Sequence, residues 1–343
     1  MITMAWTKQQ RFEAQLTGEV ADRPSISAWK HILEAEQDVS QLAHATINFA
    51  QKYEWDWLKL NPKATYLTEA WGNTYDFSDY DWVFPKETSR RIYQPQDIEH
   101  IQSLSIDENK SFQEQLQFIR AVHKALPDVP KLQTVFSPLT VLLFLAGRGF
   151  YVNHTIHGSK QPITLEQLFT DYKFLAHQAL QAIAETMAEY AQATIDAGAV
   201  GLFYATTGTA HHQLSSRNQF EDFSTKYDFI ILDAIRHSQT ILHTCGEYAD
   251  PARFNDYPIK GISWDTSAKG NPSLHETFKH TKVGGIDHQL FKHGNEQLIY
   301  EQTIAALNTM ADQPFLLAPN CAVPPDASEE ALRAFKYALL EKY

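Results

Sequence analysis

Short apolar runs bounded by Gly, Pro, Asn or Asp recur along the chain at residues 25–29, 57–60, 131–136, 200–205, 240–244, 261–264, 282–286 and 315–318. Runs this short, with little polar alternation, fit strands buried on both faces of a parallel sheet. Between them the period lengthens to that of a helix. Val39, Leu42, Ala43, Thr46, Phe49 and Ala50 make one apolar stripe, and Ile183, Met187, Tyr190, Ala191, Thr194 and Ile195 make a second. Ala331, Leu332, Phe335, Ala338 and Leu339 make the last, and Asp326 with Glu329 reads as a capping box opening that helix. Eight strands alternating with helices predict an α/β fold, a (β/α)8 TIM barrel formed as one domain over residues 1–343. An open doubly wound sheet is the competing arrangement, but no G-x-G-x-x-G or P-loop run follows an early strand.

Residues 63–112 break the alternation. They are rich in Trp, Tyr and Asp, as in TEAWGNTYDFSDYDWVFP at 68–85. An insertion after the second strand of a barrel lies over its mouth, so this segment is expected to be either a substrate lid or a packed surface extension.

Composition narrows the function classes. With 343 residues, 43% of them hydrophobic, the chain can bury a large core. A net charge of -12 repels phosphate backbones and anionic lipid, which argues against nucleic acid and membrane partners. The N-terminal stretch lacks an apolar run followed by a small-residue cleavage site, and the most apolar segment, 141–147, is far too short to span a bilayer. A cytoplasmic protein is expected. In a reducing compartment Cys245 and Cys321, the two cysteines of the sequence, are free core thiols or metal ligands rather than a disulfide.

Active residues of such barrels sit at the C-terminal ends of strands. That rule selects ILHTCGE (241–247), GISWDT (261–266), VGGID (283–287) and LLAPNCAVPP (316–325). His243 and Cys245 lie two apart, so on an extended strand end both leave the same face. Cys321 follows the last strand and opens onto the same rim. One nitrogen and two sulfurs suit zinc, with a fourth position open in the manner of a catalytic site. Two buried thiols beside a hydrogen-bonded histidine are the alternative. Glu247, Asp265 and Asp287 are placed to supply a fourth ligand or to cap backbone. His211 and His212 follow the fourth strand and could bind metal, hydrogen-bond a substrate carboxylate or sulfonate, or form a surface pair; Lys30 and His31 end the first and could meet an anionic substrate group or form a salt bridge on the rim. Trp264 could line the pocket or serve as wall.

Together DRPSISAWKHI (22–32), DWLKLNPKATYLTEAWG (56–72), ILHTCGE, GGID and LAPNCAVPP resemble the uroporphyrinogen decarboxylase superfamily from about residue 20 to the end. The resemblance implies a (β/α)8 barrel, often a homodimer, and one of two chemistries: metal-free porphyrinogen decarboxylation, or zinc-dependent methyl transfer between a corrinoid protein and a thiol such as coenzyme M. Decarboxylases carry an arginine-rich R-Q-A-G-R-Y stretch after strand one, an F-S-D run after strand two and an H-G-I run near the C-terminus. Here those places hold Trp29-Lys30-His31, Lys59-Leu60-Asn61-Pro62 and Asn320-Cys321-Ala322. The thiol methyltransferases carry H-x-C after strand five and a lone Cys after strand eight, matching His243, Cys245 and Cys321. The resemblance therefore implies a zinc-dependent methyltransferase that holds a small thiol as thiolate on one zinc ion, with its corrinoid carried by a separate protein. Uroporphyrinogen decarboxylase is the alternative, and a non-catalytic corrinoid or porphyrin binder a third class.

Overall fold

The computed structural model of the chain describes residues 6–149, 154–160, 163–292 and 295–343. All eight apolar runs form strands: β1 (Ser25–Ile26), β2 (Leu58–Leu60), β5 (Lys131–Phe136), β6 (Gly201–Thr207), β7 (Ile241–Cys245), β8 (Gly261–Trp264), β9 (Thr281–Ile286) and β10 (Phe315–Pro319). The intervening β3 (Thr74–Asp81) and β4 (Phe84–Ser89) make a separate antiparallel hairpin. The eight run in one parallel sheet ordered β1-β10-β9-β8-β7-β6-β5-β2. Parallel pairing puts every C-terminal end on one rim.

The sheet curls until its first and last strands meet. Phe12, Trp29, Trp57, Leu132, Phe203, Ile241, Val283 and Leu316 form one cluster on the concave side, drawn from the helix Lys8–Leu16 and from strands all round the sheet. Trp29 and Trp57 pack across the seam with ring centroids 5.5 Å apart and planes tilted by 49°. Each indole removes on the order of 200 Å² from water, about 5 kcal/mol at ~25 cal/mol per Å².

Closure is where the expected barrel needs amending. No ladder joins β1 to β2. The Asp56 N–H donates to the Ile26 carbonyl at 2.9 Å, and the Ser27 hydroxyl donates to the Trp57 carbonyl at 2.7 Å. A strand of two residues is too short to pair on both edges, so side chains complete the seam. Asp56, itself ion-paired to Arg23 at 2.5 Å, accepts the Ile26 N–H that a ladder would have used.

Helices cover the convex face. In the long helix Lys173–Asp196 the buried positions include Ile183, Met187, Tyr190, Ala191 and Thr194, the expected stripe. The last helix, Glu329–Lys342, buries Ala331, Leu332, Phe335, Ala338 and Leu339 as expected, but its cap is Ser328, whose side chain accepts from the Ala331 N–H. Asp326 lies too far upstream to reach it. Among the described residues no helix is long and apolar enough to cross a membrane.

The insertion after β2 contains the helix Tyr66–Ala70, the β3–β4 hairpin and a turn of 3-10 helix at Pro95–His100, before the regular helix Lys110–Ala125 begins. The hairpin is tied down at several points. The Tyr80 hydroxyl donates to Glu36 Oε1 at 2.7 Å, Lys63 lies over the Phe77 ring, and Asp79 pairs with His157 at 2.9 Å. At its tip Trp82 holds φ +56°, a left-handed conformation that bulky residues rarely adopt. The strained turn carries Trp82 to the mouth of the cavity on the C-terminal rim.

Candidate metal centre

Alternation along β7 sorts its side chains. Ile241, His243 and Cys245 point to the concave side, the last two lining a cavity at the rim. Thr244 faces the other way and donates to the Ala249 carbonyl at 2.7 Å. Cys321 arrives from beyond β10, placed by its neighbour Asn320. The Asn320 amide is wholly buried; it donates to Asp265 Oδ1 at 3.0 Å and Thr266 Oγ1 at 3.0 Å, and accepts from the Gly285 N–H at 2.9 Å. Gly284 has φ +142° and Gly285 φ +114°, and a Cβ at Gly284 would come within 3.2 Å of Asn320 Oδ1. The paired glycines let β9 follow this left-handed path beneath the loop that carries the cysteine.

One ligand atom each from His243, Cys245 and Cys321 lie within 4.8 Å of one another. The edge of a tetrahedron with zinc–sulfur bonds of about 2.3 Å is about 3.8 Å, so a small inward movement brings the three onto one ion. His243 stacks on Phe203 with centroids 5.6 Å apart, and its Nδ1 lies 3.1 Å from Ser263 Oγ on the adjacent strand. With that nitrogen donating to the hydroxyl, Nε2 presents its lone pair; it is buried and has no hydrogen-bond partner. A buried acceptor left bare loses the hydrogen bond it would make in water. A cation on Nε2 removes that penalty, and two thiolates with one imidazole suit zinc in charge and softness. The hydrogen bond from Cys245 holds the Cys321 thiol well below the usual thiol range; burial opposes it, and the facing His243 assists.

The cavity above these donors is narrow. Water-sized spheres can place their centres in about 60 Å³ of it, room for a few waters or a small molecule. Trp29, Phe136, Phe203 and Trp82 make it largely apolar. Its opposite wall, after β1 and β2, carries His31, Lys59, Asn61 and Lys63. Lys59 is partly accessible, through the cavity that it lines. Burial pulls its ammonium down to about 7, against the attraction of Cys321 and Cys245. Burial likewise holds His31 neutral, down to about 3, with Lys59 adding to the effect. Lys59 and Asn61 were not singled out from the sequence, although a lysine inside the apolar run WLKL was a signal that could have found one of them.

Other candidates from the sequence are placed elsewhere. Lys30 points away and donates to the Pro325 carbonyl at 2.8 Å. Trp264 faces outward, packed on Phe278 at 4.8 Å with its indole N–H on the Pro272 carbonyl. Asp287 Oδ1 accepts the Gln289 N–H at 2.9 Å, a local turn contact. A second, wider cleft on the same rim, about 810 Å³ by the same measure, is lined by His211, Glu247, Asp265 and His288. His212 is exposed and stacks on His211 at 5.2 Å. Among the described residues the ligand cluster contains none of Glu247, Asp265 or Asp287.

Comparison with known proteins gives the following. The profile of the family described as uroporphyrinogen decarboxylase (URO-D) matches residues 12–341. No curated protein sequence matches. Among solved structures, the chain is similar to a methyltransferase from Methanosarcina mazei at 21% identity and TM-score 0.81, covering 98% of this chain and 99% of that one. It is also similar to a B12-independent methionine synthase from Shewanella sp. W3-18-1 in complex with selenomethionine, at 14% identity and TM-score 0.54, covering 94% and 99%. At these identities the likeness establishes a shared fold.

Proposed function

The chain belongs to the uroporphyrinogen decarboxylase (URO-D) family, and within that family we propose that it is a zinc-dependent methyltransferase moving a methyl group between a corrinoid protein and a small thiol. The observation that carries this reading is the convergence of His243, Cys245 and Cys321 on one point, with His243 Nε2 buried and unpartnered. The fold shared with a methyltransferase supports it, and so does the small size of the cavity.

His243, Cys245 and Cys321 would hold the zinc ion, which when bound supplies a Lewis acid that lowers the pKa of a thiol in its open position. Ser263 keeps the imidazole in the tautomer whose Nε2 binds. Two thiolates and a neutral imidazole would balance the ion's charge, so the site these residues offer would leave a thiol substrate nucleophilic. Trp29, Phe136 and Phe203 line the cavity with apolar surface, which strips water from that sulfur and raises its nucleophilicity. We read the β3–β4 hairpin as a lid whose Trp82 closes the mouth. A corrinoid protein would approach from this C-terminal rim, which also carries the wide cleft lined by His211, Glu247 and Asp265. A cytoplasmic setting suits the reading, since both cysteines must stay reduced.

Metal-free decarboxylation of uroporphyrinogen is the second reading, favoured by the family match over residues 12–341. Against it stands the lining of the cavity. Among the described residues its lysines are Lys59 and Lys63, Lys63 is paired with Glu69 at 2.6 Å, and no arginine lines the cavity to receive several carboxylates. Two assays on one preparation decide between them. The account expects one zinc per chain in protein purified without chelator, none in Cys321→Ala, and no coproporphyrinogen under anaerobic conditions. Zinc-free protein that forms coproporphyrinogen would establish the second reading instead.

A further inference from the structure

The β3–β4 hairpin is not one rigid piece. Its ladder loses register between Asp76 and Tyr80, so residues 77–79 join the tip to the base without continuous pairing. On the β4 side the tip is anchored: Val83 and Phe84 are buried, and Phe84 packs against Phe144 at 5.7 Å. On the β3 side Tyr80 is half-buried, and Asp81 and Trp82 are exposed. The movable part is therefore the turn at 80–82, whose left-handed Trp82 lines the mouth of the cavity. The Tyr80 hydroxyl, donating to Glu36 Oε1 at 2.7 Å, holds that turn down.

Glu36 is an unusual anchor. It is buried, and among the described residues its Oε2 has no hydrogen-bond partner. The groups that face it are Tyr80 from β3, Lys63 from the segment after β2, Glu69 from the helix Tyr66–Ala70 and Glu34 from its own loop. Lys63, the cation among them, is engaged by Glu69 at 2.6 Å, and the two glutamates oppose a further negative charge. A carboxylate is costly in that setting, and a neutral carboxyl is not. Burial above all lifts the Glu36 carboxyl to about 7. Burial and Glu36 together push the Tyr80 hydroxyl up, so it stays a donor.

We propose that Glu36 is a proton-controlled latch on the lid: with a neutral carboxyl the Tyr80 bond keeps Trp82 over the mouth of the cavity, and ionisation draws water to the carboxylate, turns Tyr80 away and uncovers the mouth. This rests on the reading of the hairpin as a lid, and on neither zinc nor methyl transfer. The sign follows from linkage. In the closed form the carboxyl titrates near 7, and hydrated in the open form it returns toward the ordinary 4.5. Closure is therefore favoured in full below about pH 4.5, and the opening constant rises by up to about tenfold per pH unit until about pH 7. His157, paired with Asp79 at 2.9 Å beside the break in the ladder, is another ionisable contact of the hairpin, so the test includes it.

Fluorine NMR of the whole protein labelled with 5-fluorotryptophan tests the latch, the Trp82 resonance being the one that Trp82→Phe removes. In wild type it is expected to move from one limiting position at pH 5 toward a second by pH 8. In Glu36→Gln it should stay at the pH 5 position, and in His157→Gln it should follow wild type. A second readout asks whether the movement admits a molecule: alkylation of the cavity cysteines by iodoacetamide in zinc-free protein. Dividing the wild-type rate by the Glu36→Gln rate cancels the thiols' own titration, and the ratio should rise from about one at pH 5 to at least about tenfold at pH 8. A Trp82 resonance that ignores pH, or that moves equally in Glu36→Gln, overturns the latch. Loss of the movement in His157→Gln alone assigns it to the Asp79 contact and overturns the latch too. Movement of Trp82 with a rate ratio of one at every pH overturns the gating together with the lid reading. Absence of zinc from the purified protein overturns the metal reading and leaves the latch standing.

Discussion

His243 can bind a metal through whichever ring nitrogen its surroundings leave free, and Ser263 decides which. Removing that hydroxyl leaves the imidazole able to rotate and to change tautomer. Ser263→Ala is therefore expected to weaken zinc binding by about 10- to 100-fold, measured by competition with a chromophoric chelator, with little change in folding. Unchanged affinity would mean that Phe203 stacking alone orients the ring. At this scale the sequence was informative where residue type itself carries chemistry. A histidine two residues before a cysteine, and a second cysteine on the same rim, already pointed to the three residues that converge. It was silent where role depends on direction. Trp264 and Ser263 are neighbours on β8, and alternation sends the tryptophan out to Phe278 and the serine in to His243. Lys30 and His31 divide in the same way, one to the Pro325 carbonyl and one to the cavity wall. Nothing local in the sequence says which of two adjacent residues faces inward.

Elements repeat the lesson through their ends. Strand and helix interiors follow from the apolar pattern, because burial over several residues outweighs any single one. Ends depend on one hydrogen bond, and Ser328 rather than Asp326 makes it for the last helix. Ser328→Ala should destabilise the protein by about 1 kcal/mol in urea unfolding, while Asp326→Ala should be near neutral. The hairpin was legible only as a break in the pattern at 63–112. Its fastening depends on a residue far outside that segment, Glu36, which is 5% exposed. Burial raises the Glu36 carboxyl to about 7, against the hydrogen bond from Tyr80 and the charge of Lys63. Its folded value lies above the ordinary 4.5, so its contribution to stability is complete below about pH 4.5 and is lost as pH rises toward 7. Glu36→Gln cannot ionise and should lack that loss, which is on the order of a few kcal/mol at most. Unfolding profiles of the two proteins that stay parallel from pH 4.5 to 8 would show that Glu36 titrates normally.

At the scale of the molecule, a curled parallel sheet collects the ends of distant strands onto one rim, and that placement brings His243, Cys245 and Cys321 together as a candidate metal site. The parallel order was legible because eight buried runs separated by helices leave few ways to cover both faces of a sheet. The open seam was not, since Ser25–Trp29 reads as a full strand and only the competition of Asp56 for the Ile26 N–H shortens it. The barrel core is built from Phe12, Trp57, Leu316 and their neighbours, with Cys321 only half-buried at its margin. Cys321→Ala should thus leave the thermal midpoint of the zinc-free protein within a few degrees of wild type. The most direct test of the central claim is zinc K-edge X-ray absorption of the zinc-loaded protein, before and after a small thiol is added. The account predicts two sulfurs at about 2.3 Å and a nitrogen at about 2.0–2.1 Å, with the sulfur number rising from two to three on addition of the thiol. A sulfur number that stays at two, or a zinc with no sulfur ligands, would contradict it.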